Sequence, residues 1–479
     1  MAILTFVRTA VAVCAFVSLQ SAQDLRYLQY DTDLSSPEVY RARRDSLRAK
    51  MAPEAVAFFF SPGVKMRNGD QDFPFRPDDN MYYLTGLNEP NAVLIISTKG
   101  ITLPDPADEK KTVTVSEVLY VQPRDPQREK WVGRSLGPEG AMQLRGIGLA
   151  LPNEKFAARF FPHVQGTKTV YVSLGSAETT GDMAQYWKPV LNFLDQLRQF
   201  YSTMKIEDHA SIVNAMRRVK TPDEIRLIAK ASEISAEAHI EGMKSAEPGM
   251  HEFELEGVYH HVTRKLGGEA EAYPAIVASG ENGPILHYNT NRRQMKNGDL
   301  VLVDYGSEYH LYASDVTRTY PVNGSFTPAQ REIYQIVLDA QEAAIAMIKP
   351  GVTWQSVNQK AREVVADGLL KLGLITDKSN EQVGRFYYHG LGHSVGLNVH
   401  DVSTQVLEPG VVYTVEPGVY IADGLEGVDP KYWNTGVRIE DTIVVTEDGC
   451  RNLSVAAPRT IKEIEQLMKK KGLGNQSLN

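Results

Sequence analysis

Three of the chain's 11 histidines, His389, His393 and His400, fall within HGLGHSVGLNVHD, residues 389–401. Histidines four apart form a zinc pair only where a helix stacks them on one face, and Gly390 and Gly392 weigh against a helix here. The stretch alone leaves three readings open: a metal site, a catalytic loop, or histidines caught in a turn. Acidic residues elsewhere narrow the choice. GDLVLVDYG puts Asp304 six residues after Gly298, and GVVYTVEPG puts Glu416 six residues after Gly410. Each is followed by a second acidic strand, ASDVTRTYPV with Asp315 and GVRIEDTIVV with Glu440. A histidine lies upstream in both copies, His287 eleven residues before Gly298 and His400 ten before Gly410.

A carboxylate inside an apolar run is costly to bury unless it meets a cation, a donor network or the solvent at a strand end. Four of them at matched places repel one another. Two divalent cations balance the four charges of Asp304, Asp315, Glu416 and Glu440, and one neutral histidine joins without disturbing that balance. A carboxylate-rich set favours harder ions such as Mn²⁺, although Zn²⁺ or Co²⁺ could occupy it. Singly, each residue has an ordinary reading: Asp315 capping a turn, Glu416 paired with Arg438, His393 a satisfied core histidine.

The elements that must position these residues repeat as well. From Thr221, TPDEIRLIAKASEISAEAHI offers a capping Thr, Pro at the first helical position and Glu at the third, then apolar residues at helical spacing. From Thr327, TPAQREIYQIVLDAQEAAIAMI repeats the arrangement with Gln330 in place of Glu224. The helices run to Pro248-Gly249 and Pro350-Gly351, and second helices run to Leu266-Gly267 and Leu372-Gly373. A duplicated half-domain is expected. Before it, AVAFFF, NAVLIIS, VSEVLYVQ and TVYVSLG read as strands and KPVLNFLDQLRQFYSTM as a helix, giving an α/β domain over residues 30–205. The second domain is expected over residues 206–470.

Apolar content of 42%, charged content of 23% and a net charge of -8 fit a soluble globular protein, with no basic stripe for nucleic acid. Residues 1–22 read as a signal peptide: Arg8, the apolar run TAVAVCAFVSL, then QSAQ with cleavage near Ala22. That run is too short to span a bilayer, so no stable membrane insertion is expected and the mature chain is placed outside the cytoplasm, periplasmic or secreted. Cys14 lies in the leader, which leaves Cys450 alone and without a disulfide partner.

Five motifs, ILHYN, VDYGSEYHLYASDVTRTYPV, HGLGHSVGLNVHD, TVEPGVYI and GVRIEDTIVVT, together resemble the pita-bread metallopeptidases, the family of methionine aminopeptidase, aminopeptidase P and prolidase. The resemblance covers about residues 215–460. It implies an α+β catalytic domain with a pseudo-two-fold repeat and a two-metal centre of Asp304, Asp315, His393, Glu416 and Glu440. It also implies that His287 and His400 stabilise the tetrahedral intermediate, that His389 helps position substrate, and that Arg438 and Tyr420 orient the ligands and water. Glu416 doubles as the proton shuttle. Residues 67–96 and 129–141 resemble the aminopeptidase P N-terminal domain, as does VDPKYWNTGVRIED, residues 428–441, the bacterial members of that branch.

The expected reaction is therefore hydrolysis of the N-terminal Xaa-Pro bond of a proline-containing peptide by a metal-bridged hydroxide, in a homodimer or homotetramer. Prolidase, which takes Xaa-Pro dipeptides only, shares the ligands and is the nearest alternative. A non-catalytic peptide-binding module is the alternative of another class.

Overall fold

The computed structural model describes residues 33–158, 160–174 and 183–475. The leader expected over residues 1–22, with Cys14, lies outside them. Two compact units divide the chain, Met1–Asn214 and Ala215–Asn479.

The first unit is built on a six-stranded mixed sheet. Its strands are β1 (Ala55–Phe60), β2 (Val93–Asp105), β3 (Asp108–Val121), β4 (Ala150–Pro152), β5 (Thr169–Val172) and β6 (Lys205–Asp208), in spatial order β4-β3-β2-β1-β5-β6. Strand β1 sits between antiparallel β2 and parallel β5. Both of its faces are covered, which is why AVAFFF is apolar throughout and does not alternate. Helix Met183–Phe200 places Val190, Phe193, Leu194 and Leu197 at helical spacing in the same core as Phe58 and Val170. The division between units falls later than residue 205, because Lys205–Asp208 pairs with β5 and extends the first sheet. Helix Ala210–Arg217 follows that edge strand.

The second unit contains the repeat. Helices α1 (Pro222–Ser245) and α3 (Pro328–Ile345) open identically: the Thr221 and Thr327 side chains accept from the third-residue N–H, and the Glu224 and Gln330 side chains accept in return. Helices α2 (Glu252–Lys265) and α4 (Trp354–Lys371) follow the two Pro-Gly turns. Those turns are tied down alike. Gly249 N–H donates to Met295 O at 2.8 Å and Gly351 N–H to Leu407 O at 2.9 Å.

The strands duplicate too. In the first half, β7 (Ile276–Ser279), β8 (Leu300–Asp304) and β9 (Thr317–Pro321) form an antiparallel sheet with Asp304 opposite Thr317. In the second, β10 (Val412–Val415) pairs with β13 (Asp441–Val445), Val415 opposite Asp441. A hairpin of β11 (Gly418–Ile421) and β12 (Thr435–Arg438) intervenes, with Gly418 opposite Arg438. Asp304 and Glu416 thus lie at the ends of matched strands, and Asp315 and Glu440 at the starts of their matched neighbours. Val301, Val303, Ile333, Val337 and Leu369 pack the core beneath them. The burial of the apolar strands and of the four helices fixes this register, since a slip by one residue would turn each strand's buried set to the opposite face.

Candidate active site

Residues 391–395 run extended beside β10. Glu416 N–H donates to Leu391 O and Thr414 N–H to His393 O, both at 2.8 Å, and Val395 N–H to Val412 O at 3.2 Å. The part of the stretch that carries His393 is therefore a strand-like segment held against the Glu416 strand, whereas residues 396–400, with His400, run through a series of bends. A Cβ on Gly392 would stand 2.3 Å from Thr414 O, so only glycine permits this approach. Beyond it, the Asp401 carboxylate takes Arg217 at 2.7 Å and Lys220 at 3.1 Å, all three nearly buried. This cluster fixes the chain immediately after His400.

The pieces converge on one cavity of about 440 Å³, lined by His287, Asp304, Asp315, His389, His393, His400, Glu416, Arg438 and Glu440, among others. Of the sequence-predicted residues only Tyr420 stands outside the lining, fully buried behind it. One donor atom each from Asp315, His393 and Glu440 lies within 4.8 Å of the other two. His393 Nε2 is 3.3 Å from Asp315 Oδ2 and 3.4 Å from Glu416 Oε1. Asp304 joins through Tyr273, whose hydroxyl lies 2.5 Å from Asp304 Oδ1 and 2.5 Å from Asp315 Oδ1.

Electrostatics show what this cluster lacks. Burial, followed by neighbouring carboxylates, pushes the Asp315, Glu416 and Glu440 carboxyls well above the usual carboxylate range. Arg438 supplies one guanidinium, 2.7 Å from Asp304 Oδ2. Glu440 Oε2 accepts from Thr317 at 2.6 Å, whereas its buried Oε1 has no hydrogen-bond partner. A buried acceptor in a cluster of like charges is the donor set of a hard cation, and these residues fit one or more divalent ions.

Behind the cluster, Arg438 Nη1 donates to Tyr420 Oη at 3.1 Å. The Tyr420 hydroxyl meets His389 Nε2 at 2.8 Å, and His389 Nδ1 meets Gly390 O at 2.7 Å. Burial and then Arg438 push His389 down to about 4, so its ring is neutral near pH 7. With Nδ1–H donating to Gly390 and Nε2 accepting from Tyr420, both nitrogens are committed within the protein. His389 therefore shapes the wall, which refines the substrate-positioning role expected from the sequence. His287 and His400 are more exposed, and the His400 ring lies 4.0 Å from that of His393, tilted by 57°.

Sequence reasoning passed over Tyr273, Thr317 and Thr414. Thr414 Oγ1 accepts from His393 N–H at 3.0 Å and donates to Glu416 at 3.2 Å. For the threonines a signal existed, since Thr317 is two residues after Asp315 and Thr414 two before Glu416. Tyr273 lies outside the repeated strand motifs and gave none. The pairing of Glu416 with Arg438 considered above is not made; the guanidinium takes Asp304. Cys450 is a free, partly buried thiol.

Residues 226–447 match Metallopeptidase family M24, and residues 40–171 match the aminopeptidase P N-terminal domain. The Xaa-Pro aminopeptidase of Escherichia coli K12 is 38% identical over 449 residues, spanning 90% of this chain and 98% of that protein. Among solved structures, Pseudomonas aeruginosa aminopeptidase PepP superposes with a TM-score of 0.83 at 34% identity, covering 91% of this chain and 99% of the other. Zn-substituted E. coli aminopeptidase P in complex with product gives 0.81 at 37% identity, covering 91% and 99%. The duplicated second unit is thus the pita-bread catalytic domain, and the chain belongs to the Xaa-Pro aminopeptidases of metallopeptidase family M24.

Proposed function

We propose that this chain removes the first residue of peptides whose second residue is proline, at a centre of two divalent cations held by Asp304, Asp315, His393, Glu416 and Glu440. Mn²⁺ is the ion we favour, because four of the five ligands are carboxylates, with Zn²⁺ and Co²⁺ as competitors. The observation that carries the reading is the convergence of donors from both halves on one cavity, with Glu440 Oε1 buried and unsatisfied. When bound, two such cations lower the pKa of a shared water and polarise the scissile carbonyl.

The chain's own residues do the rest. Glu416 lines the cavity within reach of His393, and its carboxylate takes a proton from water and returns it to the departing proline nitrogen. His287 and His400 face the cavity with exposed ring edges and donate to the oxygen that gains negative charge. Arg438 and Tyr420 hold Asp304 and His389 in place. An Xaa-Pro amide lacks an N–H, so recognition rests on the pyrrolidine ring. Pro274, Ile276, Leu286 and Val399 supply the apolar wall for it.

The test is product analysis of Mn²⁺-loaded protein given an Xaa-Pro dipeptide and an Xaa-Pro-Yaa tripeptide in parallel. Release of Xaa from the tripeptide is expected. Cleavage of the dipeptide alone would make the protein a prolidase, and no cleavage of either, with no bound metal, a peptide-binding module.

Two further parts of the reading concern the whole molecule. Residues 1–22 support export and cleavage near Ala22, which N-terminal sequencing of secreted material checks. Among the described residues, no helix is long and apolar enough to cross a membrane. The adjacent apolar side chains Trp131 and Val132, 88% and 69% exposed, support self-association as a dimer or tetramer, which sedimentation measures.

A further inference from the structure

Apart from the cavity, α2 carries Glu256 and His260 four residues apart on one face, opposite Glu271 of the short strand Ala270–Glu271. His260 Nε2 stands 3.5 Å from Glu256 Oε1 and 3.1 Å from Glu271 Oε2. One donor atom from each residue lies within 4.8 Å of the other two. A tetrahedral ion with ligands at about 2.0–2.1 Å has donor-to-donor edges of about 3.3 Å, and the two His260 separations bracket that value.

The donors are held from behind. Asn291, itself buried, donates from Nδ2 to Glu256 Oε2 at 3.1 Å, which leaves Oε1 turned toward His260. Glu271 is fixed by its pairing with Ser307. Its Oε2 is shut off from solvent and faces His260 Nε2 at 3.1 Å. A buried acceptor aimed at an imidazole and a second carboxylate is what an ion would complete. The three side chains are partly exposed, between 28% and 42%, so water reaches the remaining coordination position.

We infer that Glu256, His260 and Glu271 form a separate divalent-metal site of the zinc type, outside the peptidase centre. Two carboxylates and a neutral imidazole neutralise the ion's charge. Arg292, whose charge acts on Glu256, and Tyr305, whose ring lies 5.9 Å from that of His260, are the other groups facing it. Because Glu271 is two residues from Tyr273, an ion here ties α2 to the segment that reaches Asp304 and Asp315.

The test is equilibrium dialysis of the full chain against micromolar Zn²⁺ at about pH 8, with bound zinc counted per chain. His260→Ala and, separately, Glu271→Gln are expected to bind one zinc fewer than the parent, with Mn²⁺-supported peptidase activity retained as the fold control. Equal zinc counts in parent and both variants would overturn the inference. The difference reads this site alone: a peptidase centre that bound one ion, or none, would lower parent and variant counts together and leave the difference at one.

Discussion

The Arg438 guanidinium lies 2.7 Å from the Asp304 carboxylate, an ion pair that joins β12 of one half to the end of β8 in the other with both side chains nearly buried. Arg438 is the cation nearest the carboxylate cluster that the chain itself supplies at that strand end, and it holds Asp304 with Tyr420 as its other partner. Removing it leaves a buried carboxylate among like charges, at a cost of about 3–5 kcal/mol. Arg438→Ala is expected to unfold far more readily than the parent without metal, and Mn²⁺ is expected to narrow the gap. Thermal melts of both proteins with chelator and with Mn²⁺ check this. An unchanged gap would mean that no cation enters the cluster.

Glu416→Gln keeps the shape of the side chain and removes its charge and its basicity. Turnover of an Xaa-Pro tripeptide is expected to fall by at least about 10²-fold. His393→Ala removes the one imidazole of the donor set and is expected to abolish turnover together with part of the metal binding. Steady-state kinetics with metal content measured on the same samples separate the two effects. Near-normal kcat in either variant would sink the assignment.

Asp401 neutralises two buried cations, Arg217 and Lys220, and does so one residue from His400. Asp401→Ala removes the carboxylate that both cations share and is expected to cost about 3–5 kcal/mol in urea unfolding. Lys220→Met leaves the Asp401–Arg217 pair intact and is expected to cost clearly less. In the milder variant, any loosening of the segment is expected to lower kcat/KM through His400 with little change in metal content. Comparable stability losses in the two variants would contradict this division of roles.

His239 lies fully buried in α1, with Nε2 2.8 Å from Val316 O and Nδ1 3.2 Å from Tyr259 Oη. Burial, and then the charge of Arg318, push it from 6.5 down to about 3. The unfolded chain therefore binds the extra proton first as pH falls below 6.5, and the stability of the neutral, buried form is lost progressively between about 6.5 and 3. The loss from this residue is about 2 kcal/mol by about pH 5. His239→Gln, which can still donate to Val316 O, is expected to show a smaller fall in melting temperature between pH 7 and pH 5 than the parent. An equal fall would place the acid sensitivity elsewhere.

The sequence alone determined the donors and their order. Asp304 and Glu416 were legible because each sits six residues after a glycine in a repeated strand pattern, and Asp315 and Glu440 because each lies in the acidic strand that follows, strand alternation being a local property. The helix starts at Thr221 and Thr327 were legible for the same reason, since a capping box involves residues only three apart. Tertiary structure alone decided what stands behind the donors. Tyr273 meets Asp304 and Asp315 across 31 and 42 residues, and Arg438 reaches Asp304 across 134, choosing it over the nearby Glu416. It likewise decided that residues 391–395 run straight beside β10, and that Lys220 and Asp401 meet. Such contacts leave no period in the chain. They are set by which surfaces remain to be buried once the two halves have folded onto each other, and that depends on the whole core rather than on any window of sequence.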